Sequence, residues 1–370
     1  VFNCLRSEGD VSMDVLKNEI IRQFGTPCCV IDLSVVERNI ARAQNLCDRA
    51  KVLNRPHIKT HKSSKLAKKQ IESGAVGVTC QKIGEAEVMF GAGITDILVA
   101  TNVLGAARSG RLAELRKKVA VKLSADNPVV LRAYSDVAKQ VGEVIDVLIE
   151  CDTGQKRAGV ETPDEVLHLV HHIKEDKNLN FVGLLFYPIV DGWREAQEFL
   201  DQVCKGLKQL RTLPKIISTG GTPNFINIGK LNGATEHRAG TCIFNDLMTV
   251  KAGFAILDEC ALTIFTSVVS RAGSERGILD SGSKSLTSDT GGLAGFGRII
   301  EYPDACIFKL AEEHGFMDLS ECSKKPELGD IVRVIPNHAC VAVNMVDRLI
   351  AVRDGKIVDA VSVEARGMLV

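Results

Sequence analysis

From about residue 28 to residue 220, short runs rich in valine and isoleucine alternate with longer stretches of helical character, and nothing else in the chain restricts its fold as much. The runs are CVIDL (29–33), HIKTH (57–61), AVGVTC (75–80), DILVAT (96–101), VAVKLS (119–124), VIDVLIEC (144–151), FVGLLFY (181–187) and KIIST (215–219). Between them lie amphipathic segments such as 34–50, 63–73, 163–176 and 193–210. Parallel strands need a crossover of a dozen or more residues, which these segments supply. About eight such units predict closure into a (β/α)8 TIM-like barrel over an open sheet. A ninth run, EHRAG (236–240), leaves the strand register open by one.

After about residue 253 the pattern changes to strand-like runs separated by Gly, Asp and Asn turns: 256–270, 276–289, 329–336, 339–346 and 348–367. The expected organisation is α/β, with a barrel over 23–253 and a β-rich domain over 254–370 that residues 1–22 join. Asp354-Gly355 between two apolar runs predicts a hairpin. The charge balances, 46 basic against 46 acidic residues, which removes the footprint expected of a nucleic-acid or anionic-membrane partner. Twelve cysteines are scattered along the chain, and the opening VFNCLRSEGDVSMD has acidic residues in place of an apolar signal core. Reduced thiols in the cytoplasm are therefore expected. No apolar run approaches the ~20 residues that span a bilayer.

Four segments carry candidate chemistry. Arg55–Lys62 reads RPHIKTHK. Taken as a strand end, it places His57, Lys59 and His61 on one face. A lysine buried there is costly unless its charge is removed, as by a Schiff base with an aldehyde cofactor; a solvent-facing basic strand end fits the same residues. Ser218, Thr219, Gly220, Gly221 and Thr222 end the last barrel strand, where barrels commonly dock phosphate, or form an ordinary glycine-rich turn. Arg157, in ECDTGQKRAG (150–159), suits a phenolate oxygen, and Tyr187 lies on the same barrel face unless it is a core residue. In PNHAC (336–340) a strand would turn His338 and Cys340 to one side as a zinc-type pair, although His-x-Cys also arises by chance. Two ligands suit an open catalytic metal, not a closed structural one. His314 reads as a surface turn. His168 and His172 stand four apart and could clamp a metal, but with nothing nearby to complete a site they read as helix surface.

Taken together, 56–62, 218–223, 236–241, 312–315 and 336–340 resemble the pyridoxal 5'-phosphate (PLP) enzymes of the alanine racemase fold. Within them the chain is similar to the metal-activated branch containing D-serine dehydratase and D-threonine aldolase, from about residue 20 to the end. The resemblance implies that Lys59 carries PLP, that Ser218–Thr222 hold its phosphate, and that Arg157 and Tyr187 contact the ring region. It implies that His338 and Cys340 hold a divalent metal beside the β-hydroxyl of a D-amino acid, and that a homodimer builds each active site. One departure is Cys242, where family members commonly carry tyrosine.

PLP accepts electrons from Cα whichever bond breaks. A Lewis-acidic metal that helps hydroxide leave gives dehydration to a keto acid and ammonia; the same ion in an aldolase leads to glycine and an aldehyde. A cysteine ligand favours zinc and resembles the dehydratase pattern, whereas His-x-Asp suits manganese or magnesium. The expected function is a D-serine dehydratase-like lyase. A D-threonine or 3-hydroxy-D-aspartate aldolase is the alternative, with a racemase and a non-catalytic PLP-binding protein behind it.

Overall fold

The computed structural model describes residues 8–370, with side chains from residue 13 onward. The described residues through Asn39 form one unit with Thr241–Arg366, and Ile40–Gly240 form another with Gly367–Val370. The described residues begin with helix α1 (Glu8–Phe24), strand β1 (Cys28–Asp32) and helix α2 (Leu33–Ala50).

In the second unit eight strands alternate with helices. The strands are β2 (Leu53–Asn54), β3 (Val78–Cys80), β4 (Ile97–Val99), β5 (Lys122–Ala125), β6 (Ile145–Cys151), β7 (Leu179–Phe186), β8 (Ile216–Gly220) and β9 (Glu236–Arg238). Every pairing in the order β2-β9-β8-β7-β6-β5-β4-β3 is parallel. The ring closes where Thr79 N–H donates to Pro56 O at 2.8 Å and His57 bridges Thr79. The crossover helices are α3 (Ser64–Glu72), α4 (Ile83–Gly91), α5 (Ala106–Arg116), α6 (Pro128–Val141), α7 (Pro163–Glu175) and α8 (Trp193–Gln209). Local chemistry fixes their ends: Asn127 caps α6, Pro128 opens it and Gly142 ends it at φ 74°, as helix termini require.

Strands β4, β6 and β7 are largely apolar on both faces because both are buried. Ile97, Val99, Val147, Ile149, Leu184 and Phe186 pack toward the helices, while Leu98, Leu148, Val182 and Leu185 form a separate cluster on the opposite, inner face.

The other unit is a nine-stranded sheet. It joins β1 to β10 (Leu262–Ser270), β11 (Arg276–Leu279), β12 (Arg298–Ile299), β13 (Cys306–Leu310), β14 (Gly315–Asp318), β15 (Ile331–Ile335), β16 (Arg348–Arg353) and β17 (Lys356–Ser362). Because β10 pairs with both β11 and β15, strands β10–β15 make a closed circuit. Asp354 and Gly355, at φ 50° and 70°, turn β16 into β17, the left-handed pair that a tight hairpin demands. Leu16 and Ile20 of α1 bury against Val30, Phe265, Ile350 and Val352.

Three expectations are corrected. CVIDL is not a barrel strand, because β1 pairs with β10 and β16 in the other sheet; EHR takes the eighth barrel position. HIKTH is not a strand, since Ile58–Thr60 wind into a 3-10 turn. The run from Ala339 is helical to Val343.

Candidate functional site

Because 58–60 is a turn, strand parity does not govern its side chains. Ile58, Thr60 and His61 are buried while Lys59 is exposed. His61 accepts from Ser63 N–H at Nδ1 and pairs through Nε2 with Gln70, well inside the fold. His57 Nδ1 accepts the Lys59 N–H at 3.4 Å, and its Nε2 donates to Gln81 Oε1 at 3.1 Å. Burial, then the charges of Lys59 and Arg238, hold His57 well below the usual imidazole range, so it is neutral. Lys62, the other lysine of the motif, is buried 3.3 Å from Glu85.

The inner face near β8 and β9 is polar and tightly coupled. Arg55 Nε donates to Glu236 Oε2 at 2.8 Å, the Ser218 hydroxyl donates to Glu236 Oε1 at 2.6 Å, and Arg238 Nη1 donates to Ser218 Oγ at 2.6 Å. Burial lowers the Arg238 guanidinium to about 10 against the pull of Glu236 and Glu150. The Thr219 hydroxyl donates to His237 Nδ1 at 2.7 Å, while His237 Nε2 donates to Gly221 O at 3.1 Å. Two of the hydroxyls expected at a phosphate, those of Ser218 and Thr219, are thus engaged within the barrel wall.

Gly220 and Gly221 lie against the Tyr187 ring. A Cβ on Gly221 would stand 2.9 Å from Tyr187 Cε2, and its φ of +102° is a glycine conformation. Thr222, also buried, opens the 3-10 segment that follows. Arg157 Cζ lies 4.9 Å from the centre of the Tyr187 ring. Its loop winds around Asp152, whose carboxylate accepts from the N–H groups of Gly154, Gln155 and Arg157. Arg157 is 4.0 Å from Glu150, a carboxyl that burial raises despite Arg238 and Arg157. The barrel therefore gathers Lys59, His57, Arg238, Glu150, Arg157 and Tyr187 into one electrostatic neighbourhood. An exposed amine, a cation stacked on an aromatic ring and a glycine cradle that a Cβ would fill fit an aldehyde cofactor with an aromatic ring and a phosphate.

The β-rich unit holds the second centre. His338 is extended at φ −134°, ψ 100°, and caps the short helix Ala339–Val343, whose first turn contains Cys340. A strand-to-helix junction, not strand alternation, brings the two side chains together. His338 Nδ1 bonds Asp289 Oδ2 at 2.6 Å. The Cys340 hydrogen bond, followed by Asp289 and Asp246, raises the imidazole to about 9 against burial; a metal ion would take the place of that proton. Thr241 Oγ1 is 3.5 Å from Cys340 Sγ. Asp246 Oδ2 accepts the Ala339 N–H at 2.9 Å and so pins the junction. Among the described residues no three His, Cys, Asp or Glu side chains gather as a metal site; an imidazole and a thiol are a donor pair of the kind that holds a borderline divalent ion. His314 is an exposed turn residue between β13 and β14. Cys242 is buried in the 3-10 turn Thr241–Ile243.

Asp289 went unread in the sequence because it lies 49 positions from His338, within an undistinguished Ser-Asp-Thr stretch. Arg238 and Glu150 lie 88 positions apart, and no spacing rule signals that each feels the other's charge.

Comparison with known proteins matches two family models: "Alanine racemase, N-terminal domain" over residues 31–247 and "Putative serine dehydratase domain" over 261–352. The chain is 30% identical over 362 residues to D-threonine aldolase of an Arthrobacter species, covering 94% of each. It is 30% identical over 344 residues to D-threo-3-hydroxyaspartate dehydratase of Delftia sp. strain HT23, covering 85% of this chain and 90% of the relative. The crystal structure of D-threonine aldolase from Filomicrobium marinum superposes with a TM-score of 0.86 at 28% identity, covering 93% and 96% of the two chains. The Delftia dehydratase superposes at 0.84 with 27% identity, covering 92% and 97%, in a metal-free alanine variant of a cysteine; another of its structures replaces a histidine two positions earlier.

Proposed function

We propose a function for this chain on a plain premise: it belongs to the alanine racemase N-terminal domain family, in the branch that carries a putative serine dehydratase domain. It is a PLP-dependent lyase of β-hydroxy D-amino acids, and the reaction we assign is dehydration to a keto acid and ammonia. The observation that carries this choice is the His338–Cys340 pair anchored on Asp289. Its residue types and spacing match the histidine and cysteine replaced in the dehydratase variants.

When bound, PLP draws electrons from Cα. The Lys59 amine would hold the cofactor aldehyde and would move the Cα proton; neutral His57 beside it adds no competing charge. Arg157, stacked on Tyr187, would contact the phenolate oxygen, and the backbone of Gly220–Thr222 would hold the phosphate. His338 and Cys340 would hold zinc, which polarises the substrate β-oxygen. The reading includes a homodimer, which sedimentation of the loaded enzyme tests. It also includes a cytoplasmic setting, in keeping with eleven described cysteines that are all thiols.

The aldolase reading has its own support in the D-threonine aldolase relative. Incubating the PLP- and zinc-loaded protein with D-threo-3-hydroxyaspartate, D-serine and D-threonine separates the two. Dehydration predicts keto acid with ammonia; glycine with an aldehyde would assign the chain to the aldolases.

A further inference from the structure

Helix α7 carries His168, His171 and His172 on its exposed side. Residues 168 and 172 are four apart and stand one turn above the other on the same ridge. Their rings meet edge to face, with centroids 4.5 Å apart, and their Nε2 atoms are 3.1 Å apart. His171 pairs instead with Glu175 at 3.1 Å. The helix beneath is well fixed: Thr162 and Glu165 close a capping box, and Val166, Leu169, Val170 and Ile173 are buried in the barrel's outer core.

A separation of 3.1 Å is a hydrogen bond between the two imidazoles, one Nε2–H donating to the other Nε2. It is also the bite of a chelate: two metal–nitrogen bonds of about 2.0 to 2.1 Å meeting at roughly 100° hold their nitrogens about 3.1 Å apart. That angle lies between the square and tetrahedral values, so an ion enters without moving the backbone. We propose that His168 and His172 form a bidentate site for a borderline divalent transition metal, copper(II) foremost, then nickel(II) or zinc(II).

The all-imidazole donor set selects these ions and rejects magnesium and calcium, which take oxygen. On binding, the ring that donates the hydrogen bond moves its proton from Nε2 to Nδ1, so that both Nε2 lone pairs face the ion. Water fills the other positions, since no third His, Cys, Asp or Glu among the described residues completes the site. The ion ties together two turns of α7 in the folded state only and so stabilises the barrel. This site is independent of the function proposed above.

Untagged, PLP-loaded protein should be retained on immobilised nickel, and its copper(II) complex should show electron paramagnetic resonance coupling to two imidazole nitrogens. Nickel should raise the melting temperature. His168→Ala and His172→Ala should each abolish retention, the two-nitrogen spectrum and the melting shift, while turnover of a D-amino acid stays unchanged. His171→Ala should keep all three signals. The proposal fails if the signals survive both His168→Ala and His172→Ala, or if they vanish in His338→Ala, which would trace them to the other centre.

Discussion

A lysine that bonds covalently to an aldehyde must be within the aldehyde's reach, and the two lysines of the RPHIKTHK motif differ in exposure. Lys59 is exposed beside a neutral imidazole, whereas Lys62 is locked in a buried pair with Glu85. Borohydride reduction of the PLP complex followed by peptide mapping should place the adduct on Lys59, and Lys59→Ala should lose the visible absorbance of bound PLP. Lys62→Met should instead act on stability, because it takes the cation from the buried Glu85 carboxylate, which keeps the N–H bonds of Gln81 and Lys82; breaking such a pair costs up to about 3 to 5 kcal/mol, readable in urea unfolding. At the other centre Asp289 holds His338 Nδ1, leaving Nε2 as the ligating nitrogen. Removing a carboxylate in that position weakens metal affinity by about 10- to 100-fold. Asp289→Ala should show that loss in zinc competition titrations with PLP affinity intact, and unchanged zinc affinity would remove Asp289 from the site.

Elements are where pattern and structure part company. Predominantly apolar runs such as IDVLIEC and LNFVGLLF are legible as barrel strands because burial on both faces favours near-continuous hydrophobic sequence. Two-residue periodicity fails in 57–61 and 338–340, where a 3-10 turn and a helix start replace the strand. Short polar segments carry too few residues for a period to declare itself, and long-range pairings decide them. The same holds for CVIDL, whose composition suits either sheet and whose partners lie more than two hundred residues away. The Asp289 contact has no sequence pattern at all. The glycine pair at the end of β8 is legible as a special turn, though the ring filling the space beside it is not. Gly221→Ala forces a side chain into left-handed backbone 2.9 Å from Tyr187. It should lower the melting temperature and weaken PLP binding, with strain of about 1 to 3 kcal/mol; an unperturbed variant would mean that Tyr187 readily swings aside.

Across the whole molecule, buried imidazoles make the fold sensitive to acid. His237 is held at about 3 by burial and by Arg238, against an ordinary value of 6.5, and His57 is likewise depressed. As pH falls below about 6.5 the unfolded chain takes up these protons and the folded one does not. Stability should therefore drop by about 1.4 kcal/mol per pH unit for each such histidine. Urea unfolding at pH 7, 6 and 5 measures the slope, and a flat profile would show that the two rings protonate in place. The sheet of the β-rich unit has a further consequence, for synthesis. Its strand β1 hydrogen-bonds to β10 and β16, and the last of these partners, Val352, is made roughly 320 residues after β1. At ~5–20 residues per second, that is a wait on the order of 15 to 60 s at the ribosome. All eight barrel strands emerge in that interval, so a segment translated before every one of them is among the last to find its place.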